Sequence, residues 1–327
     1  MNFTKLYSNE YLRKQDVNIH KLWHYTSANG LMGIVRNTPE ERGNLHFWFT
    51  RSDCLNDTSE GYHILDLYKN MLEDLLKNKE INKSFFDSVK DAEISNYQLI
   101  NFPVPSKDGC LYESMIDSAP CHAYICCFSL KEDSLDMWRY YSKGDGGYGL
   151  GLYSYAFFEF EEYQYGNYNE NDMFSCMSSF KVIYKDSEKR KILKEIIIDT
   201  YSAYQNSDSD EKEEKSKKFI QYALKTLQYR FKHECYSSEQ EFRFVFYLPY
   251  SKPKDLKNKL PEVKYRNQNG ILVPYIEIVL KDASSILNEV WISPFVGNMG
   301  VLDTTSEYLS QCGFSCKIKL SRLPVRK

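Results

Sequence analysis

The chain has 327 residues, and its 42 Lys and Arg against 45 Asp and Glu give a formal net charge of -3. This near balance excludes a protein that holds nucleic acid by bulk positive charge. The 42% content of hydrophobic residues excludes a disordered chain, and the length is sufficient for one large or two ordinary domains.

The pattern of apolar residues predicts short strands interspersed with helices of unequal length. In chain order these are strand 22–27, helix 28–36, strand 45–50, helix 58–77, strand 122–129, helix 133–142, strands 148–153 and 181–185, helices 187–205 and 212–233, strands 239–247, 271–273, 275–280 and 289–292, helix 298–312 and strand 315–320. This order is typical of an α+β fold with a mixed or antiparallel sheet flanked by helices.

No Pro-rich or Ser-rich linker divides the chain, so we treat residues 1–327 as one domain. Residues 78–120 are polar, and we expect a helical insertion near 58–120. A charged run lies between the two later helices, and we expect a charged helical segment near 187–233 with a solvated surface.

The nine cysteines are scattered, and no two of them have the C-x-x-C spacing. Neither a disulfide framework nor a structural zinc site is therefore expected. The six histidines have no mutual metal-ligand spacing either. Residues 1–30 lack the pattern of a signal peptide, and no apolar run has transmembrane length. We expect a cytoplasmic protein with reduced thiols, no metal and no membrane contact.

The strand predicted over 239–247 is the clearest alternating segment. Period-two alternation places three phenylalanines on one face and charged residues on the other. The apolar face holds Phe242, Phe244 and Phe246, and the charged face holds Glu239, Glu241 and Arg243. Two interpretations remain open for the charged face. It is either a solvent-exposed ion pair or a cleft in which a carboxylate stabilises developing positive charge.

Two further polar groups are candidates. His24 lies at a strand end, where it either projects into a cleft or makes a structural hydrogen bond. Thr26 and Ser27 beside it are partly explained by helix capping. Asp57 and Glu60 resemble a capping box, whereas the role of Asn56 stays open.

Several aromatic residues surround a glycine-rich turn over 144–147. Tyr140, Tyr141 and Tyr148 are either core residues or rings that stack on a planar ligand. The glycines at 147, 149 and 151 precede a strand, so they do not form a dinucleotide-binding fingerprint, and the chain has no P-loop.

Five blocks of residues, in order, resemble the bacterial domain-of-unknown-function 2971 family over essentially the whole chain. They are Trp23 to Ser27 with Leu31 and Ile34, Leu55 to Asp57 with Glu60, Cys127 to Ser129 with Met137, Trp138 and Tyr141, Glu239 with Glu241 and Arg243, and Val273 to Ile276 with Ser321, Pro324 and Arg326.

A more distant resemblance carries chemistry. A strand His followed by Tyr and Thr, with a late Glu-x-Glu opening a strand, is similar to the ADP-ribosyltransferase superfamily. The resemblance implies a split sheet core and NAD as the substrate. It makes His24 the ribose ligand, Glu241 the catalytic carboxylate and Glu239 the residue on the acceptor side. These roles require His24 and Glu241 to face one cleft.

The resemblance thus suggests an NAD-dependent ADP-ribosyltransferase, in the setting of a bacterial toxin or an anti-phage defence effector. Its partners would be a small-molecule nucleotide and a protein or nucleic-acid acceptor that the sequence leaves open. The alternative is a non-catalytic nucleotide-binding or partner-binding module with the same cleft. The candidate catalytic residues are Glu241, Glu239 and His24, and the candidate cofactor-binding residues are His24, Tyr25, Thr26, Tyr140, Tyr141, Tyr148, Arg243 and Asn56.

Overall fold

A computed structural model describes residues 19–55, 63–94, 100–105, 111–116, 121–141, 146–154, 177–250, 260–297 and 300–325. For 100–105 and 111–116 it describes the backbone only.

The described segments form twelve strands and seven α-helices, joined by turns and short 3-10 segments. The strands are β1 (Lys21–Thr26), β2 (Leu45–Arg51), β3 (Ile100–Pro105), β4 (Leu111–Ile116), β5 (Cys121–Ser129), β6 (Tyr148–Tyr153), β7 (Met177–Lys181), β8 (Glu241–Pro249), β9 (Val263–Gln268), β10 (Ile271–Leu280), β11 (Leu287–Ile292) and β12 (Lys317–Leu320). The helices are α1 (Ala28–Ile34), α2 (His63–Lys77), α3 (Lys83–Val89), α4 (Leu135–Tyr141), α5 (Asp186–Gln205), α6 (Lys212–Leu227) and α7 (Val301–Gln311).

The α+β class and the mostly antiparallel sheet are confirmed. Ten of the described strands form one sheet in the order β12-β11-β6-β1-β5-β2-β10-β9, with β8 on β5 and β7 on β8. The pairing of β11 with β12 is parallel, and the other strand pairs in this sheet are antiparallel. Strands β3 and β4 pair separately with each other, within the stretch for which short helices were expected.

The sheet divides at β5. One edge of β5 pairs with β8 along its whole length, from Cys121 to Ser129. The opposite edge is shared, because β1 meets it at Ser129 and β2 meets it at Tyr124 and Ile125. Strands β1 and β2 therefore diverge from each other along the same edge of β5.

Apolar residues pack on both faces of the sheet. Face A, as we name it, carries Leu22, Phe128, Phe242 and Phe244, and α1 and α7 cover it. The opposite face B has two clusters. Trp23, Tyr25 and Trp291 pack there with Met137 and Trp138 of α4, and Ala123, Ile125, Val245 and Tyr247 pack with Phe180 and Tyr229.

Two glycines of β6 make room for the tryptophans on face B. A Cβ atom on Gly149 would lie 3.1 Å from the ring of Trp138, and one on Gly151 would lie 2.8 Å from the ring of Trp23. These strand glycines therefore serve close packing.

The helical segments expected near 58–120 and 187–233 share one core. Helices α2 and α3 from the first pack against α5 and α6 from the second. Ile183 and Phe231 belong to the same apolar cluster and connect it to the chain around β7 and β8.

Candidate functional site

The two acidic residues of the Glu-x-Glu pattern come from different local structures. Glu239 ends a 3-10 segment that runs over Glu234–Glu239, whereas Glu241 begins β8. Gln240 between them has a φ of 45°, in the left-handed region. The prediction of one strand over 239–247 is therefore wrong at its start, because this backbone conformation interrupts the alternation.

The structure nevertheless brings both carboxylates together around one ammonium. Lys232 Nζ donates to Glu239 Oε2 at 2.6 Å and to Glu241 Oε1 at 3.1 Å. Arg243 Nε donates to Glu241 Oε2 at 2.7 Å, and its Nη1 donates to the carbonyl of Tyr229 at 3.0 Å. We call these four residues, Lys232, Glu239, Glu241 and Arg243, the carboxyl cluster. Each is 9% exposed or less, so the charged face is not a solvent-exposed ion pair.

Backbone and hydroxyl groups fix the carboxyl cluster in place. The Glu241 N–H donates to the hydroxyl of Tyr184 at 2.9 Å, and the Ser129 hydroxyl donates to the carbonyl of Glu239 at 2.7 Å. The ring of Tyr236 lies 4.7 Å from Lys232 Nζ, which favours the cation.

The surroundings shift the pKa values of the two carboxyl groups in opposite directions. Burial, followed by the charge of Glu241, raises the pKa of Glu239 to about 7, and Lys232 opposes this effect. Burial would also raise the pKa of Glu241, but Arg243 and then Lys232 lower it below its usual range. The side chains also hydrogen-bond to each other, so below about pH 7 Glu239 carries a proton next to an ionised Glu241. Such a divergence between neighbouring carboxyl groups is typical of acid–base sites.

Tyr141 is the predicted aromatic residue that lies near the carboxyl cluster. It ends α4 and is partly exposed. Burial raises the pKa of its hydroxyl, and the charges of Glu241, Cys127 and Glu239 raise it further. Tyr141 is therefore a neutral hydroxyl within electrostatic reach of both carboxyl groups.

His24 lies on the opposite face of the sheet from Glu241. Its ring is 5.5 Å from that of Phe47 and 5.2 Å from that of Phe128, both residues of face A. Its Nδ1 lies 3.1 Å from the carbonyl oxygen of Cys127 and donates to it. Glu241 points to face B, because it precedes Phe242 of face A in β8. The resemblance requires His24 and Glu241 to face one cleft. The structure places them on opposite faces of the sheet.

Tyr25 supports the helix that carries Tyr141. Its hydroxyl donates to the carbonyl of Lys131 at 2.8 Å and accepts from the N–H of Ser134 at 3.1 Å. Its ring also packs edge-on against Trp138, with centroids 4.8 Å apart. Tyr25 thus positions the start of α4, and a hydroxyl with both bonds satisfied is poorly suited to bind a cofactor.

The described residues show no contact between the other predicted ligands, Thr26, Tyr140 and Tyr148, and the carboxyl cluster. Thr26 packs over Gly30 beside the Ser27 cap of α1. Tyr140 is 63% exposed, and Tyr148 packs against the core of face A. Asn56 lies outside the described residues, as do Asp57 and Glu60.

Sequence reasoning missed Lys232 and Tyr184. Lys232 lies just beyond α6 and seven residues before Glu239, where no strand or helix periodicity links them. A lysine next to a Glu-x-Glu-x-Arg pattern is a signal too common to identify such a partner.

No group of three or more His, Cys, Asp or Glu in the described part of the chain could hold a metal ion. Among the same residues, no helix is both long and apolar enough to cross a membrane.

Comparisons with known proteins give one result that bears on this site. No curated protein matches the chain, and no solved structure does. One family model matches residues 137–244, about a third of the chain, and this segment contains Tyr141 and all four residues of the carboxyl cluster. Over that segment, the chain is similar to the family described as a protein of unknown function, DUF2971.

Proposed function

We propose that the protein is an NAD-dependent enzyme of ADP-ribosyltransferase type whose acid–base group is Glu239. The observation that supports this most strongly is the buried Glu239–Glu241 pair around Lys232, in which burial raises the pKa of Glu239 to about 7 while Arg243 and Lys232 lower that of Glu241. Cleavage of the nicotinamide–ribose bond develops positive charge on the ribose, and a neighbouring carboxylate stabilises that charge as in glycosidases.

We propose different tasks for the two acidic residues from those that the resemblance implies. Both oxygens of Glu241 are occupied by Lys232 and Arg243, so Glu241 orients its neighbour. Glu239 is bonded to Lys232 and has a pKa of about 7, so its ionised form is available near neutral pH. In this proposal that carboxylate stabilises the charge on the ribose and accepts the proton that the acceptor loses. In this proposal Tyr141 supplies the ring and hydroxyl beside the ribose.

We also propose that the divergence of β1 and β2 along β5 corresponds to the split sheet core of ADP-ribosyltransferases. His24 lies at that divergence on face A, so it has no role in binding the substrate of this proposal.

A non-catalytic binding module is the alternative, and one observation favours it. The charges of the carboxyl cluster compensate one another within the protein, as in a buried structural ion network. In that case the neighbouring surface binds a nucleotide or a protein without reaction.

Nicotinamide release from NAD distinguishes the two functions, and transfer of labelled ADP-ribose in cell extract identifies the acceptor. We expect Glu239→Gln to lower the rate at least about 100-fold, the scale for loss of a general acid–base group. Glu234→Gln is the matched control, because this glutamate begins the same 3-10 segment and is exposed. Equal rates for both variants, or no NAD turnover in the folded wild-type protein, would overturn the enzymatic proposal.

A further inference from the structure

Lys225 is a buried lysine that has no carboxylate partner among the described residues. It lies in the last turn of α6 and is 7% exposed. Within the same part of the chain its ammonium group makes no hydrogen bond. The titratable group that acts on its charge is the thiol of Cys121, itself buried in an apolar cluster of face B.

The other buried lysines of the described residues are paired. Lys189 donates to Asp186 at 2.9 Å and contacts the ring of His63 at 3.2 Å, and Lys232 contacts two carboxylates. A buried ammonium is tolerated when such partners compensate its desolvation. Lys225 has no such compensation, so burial lowers the pKa of its amine, and the Cys121 thiol only partly opposes this.

The Lys225 amine is nevertheless not fully enclosed. Its Nζ is absent from the fully enclosed side-chain polar atoms that lack a hydrogen bond, among the residues described. Three residues further on, Gln228 Nε2 is enclosed and has no hydrogen-bond partner in the described part of the chain. Residues three apart on a helix are neighbours, so two unpaired donors occur on one flank of this segment.

We propose that Lys225 is a nucleophilic amine that forms an imine with an aldehyde. A desolvated lysine is a common carbonyl nucleophile, because the neutral amine has the lone pair that the ammonium lacks. The lone pair attacks the carbonyl carbon, and the carbinolamine that results loses water to give the imine. The hydroxyl of Tyr247 on β8 interacts with the same Cys121 thiol, and burial raises its pKa, so it carries no charge near neutral pH.

This site is separate from the carboxyl cluster. Cys121 and Ser129 lie at opposite ends of β5, and Ser129 pairs with Glu241. Eight residues of extended strand separate the two ends by about 26 Å. The proposal for Lys225 therefore does not depend on the proposed reaction with NAD, and the two are tested separately.

Reductive methylation of the native protein with formaldehyde and cyanoborohydride at pH 7 tests the proposal, with each lysine followed by peptide mapping. The matched control is Lys215, which lies on the same helix, is 48% exposed and bonds to Glu211 at 2.9 Å. We expect Lys225 to react at least about 5-fold faster than Lys215, since each unit of lowered pKa gives about tenfold more neutral amine. In urea the two rates should become equal.

A Lys225 rate equal to or below that of Lys215 in the native protein would overturn the proposal. The Lys225→Met variant checks the assignment, because the fast-reacting peptide should disappear from its map. Since the decisive comparison is made on the wild-type protein, it does not depend on the folding of that variant.

Discussion

His24 Nδ1 donates to the carbonyl oxygen of Cys127 at 3.1 Å, at the place where β1 leaves the edge of β5. The imidazole thus supplies a donor to this carbonyl where the strand pairing ends. Burial lowers the pKa of His24 to about 4, although the Cys127 carbonyl opposes this, so the ring is neutral near pH 7. His24 is a structural residue of the sheet division.

We predict that His24→Phe lowers the free energy of unfolding by about 1–3 kcal/mol, the cost of leaving a buried carbonyl without its donor. A phenyl ring preserves the packing against Phe47 and Phe128 but cannot donate. His24→Asn keeps a donor and should recover part of the loss. Urea denaturation at pH 7 measures all three proteins, and a His24→Phe variant as stable as wild type would contradict the structural role.

The carboxyl cluster predicts a pH dependence of stability. The folded pKa of Glu239 is raised, so between about pH 4.5 and about pH 7 the folded state holds a proton that the unfolded state has lost. Its stabilising contribution is therefore complete below this window and is lost as the pH rises through it. Glu241 behaves oppositely, because its folded pKa is lowered and its contribution is lost only at more acid pH.

We predict that Glu239→Gln removes this loss, since the amide stays neutral. Relative to wild type, the variant should gain on the order of 1–3 kcal/mol in unfolding free energy between pH 5 and pH 8. Comparing the two proteins at each pH cancels the contribution of His24, which is common to both. A difference that stays constant with pH would show that Glu239 does not titrate in this range.

Replacing Arg243 by lysine should destabilise the folded protein. Its guanidinium bonds Glu241 and the Tyr229 carbonyl from two sides while only 1% exposed. A lysine cannot form this fork, so we expect Arg243→Lys to cost about 3 kcal/mol, the scale for breaking a buried pair. Lys215→Gln breaks the exposed pair with Glu211 and should leave the free energy of unfolding nearly unchanged. Equal costs in urea denaturation would refute the buried network.

The space around two glycines, one in β6 and one in α1, predicts different effects for their replacement by alanine. Gly151→Ala should destabilise by about 1–3 kcal/mol, because its Cβ would overlap the ring of Trp23. Gly33→Ala, in α1, meets only Trp48 at 4.0 Å and should be neutral or stabilising by up to about 1 kcal/mol. Thermal unfolding measures both, and a stable Gly151→Ala protein would disprove the close approach.

Local patterns predicted the strongly periodic elements. The strand over 148–153 is confirmed, and the strand over 122–129 and the helix over 187–205 each begin one residue earlier than predicted. The sequence pattern did not predict strand β9, because Val263–Gln268 is mostly polar and lies at the edge of the sheet. Edge strands are not required to show apolar alternation.

The candidate site depended on information that alternation does not contain. Alternation along the strand correctly places Glu241 and Phe242 on opposite faces. It does not show how the faces of β1 and β8 correspond, because these two strands do not pair with each other. His24 and Glu241 therefore looked equally suited to one cleft. The left-handed Gln240 and the approach of Lys232 from beyond α6 are likewise set by tertiary packing.

The proposed acid–base role requires Glu239 to titrate near neutral pH beside an ionised Glu241. The most direct measurement is a carbon-13 NMR titration of the glutamate side-chain carboxyl groups in the wild type, with Glu239→Gln used to assign the resonance. We predict one glutamate resonance that titrates with a midpoint near pH 7 and is absent from the variant. If every glutamate carboxyl in the folded wild-type protein titrates below about pH 5, as unperturbed glutamates do, the acid–base assignment is contradicted.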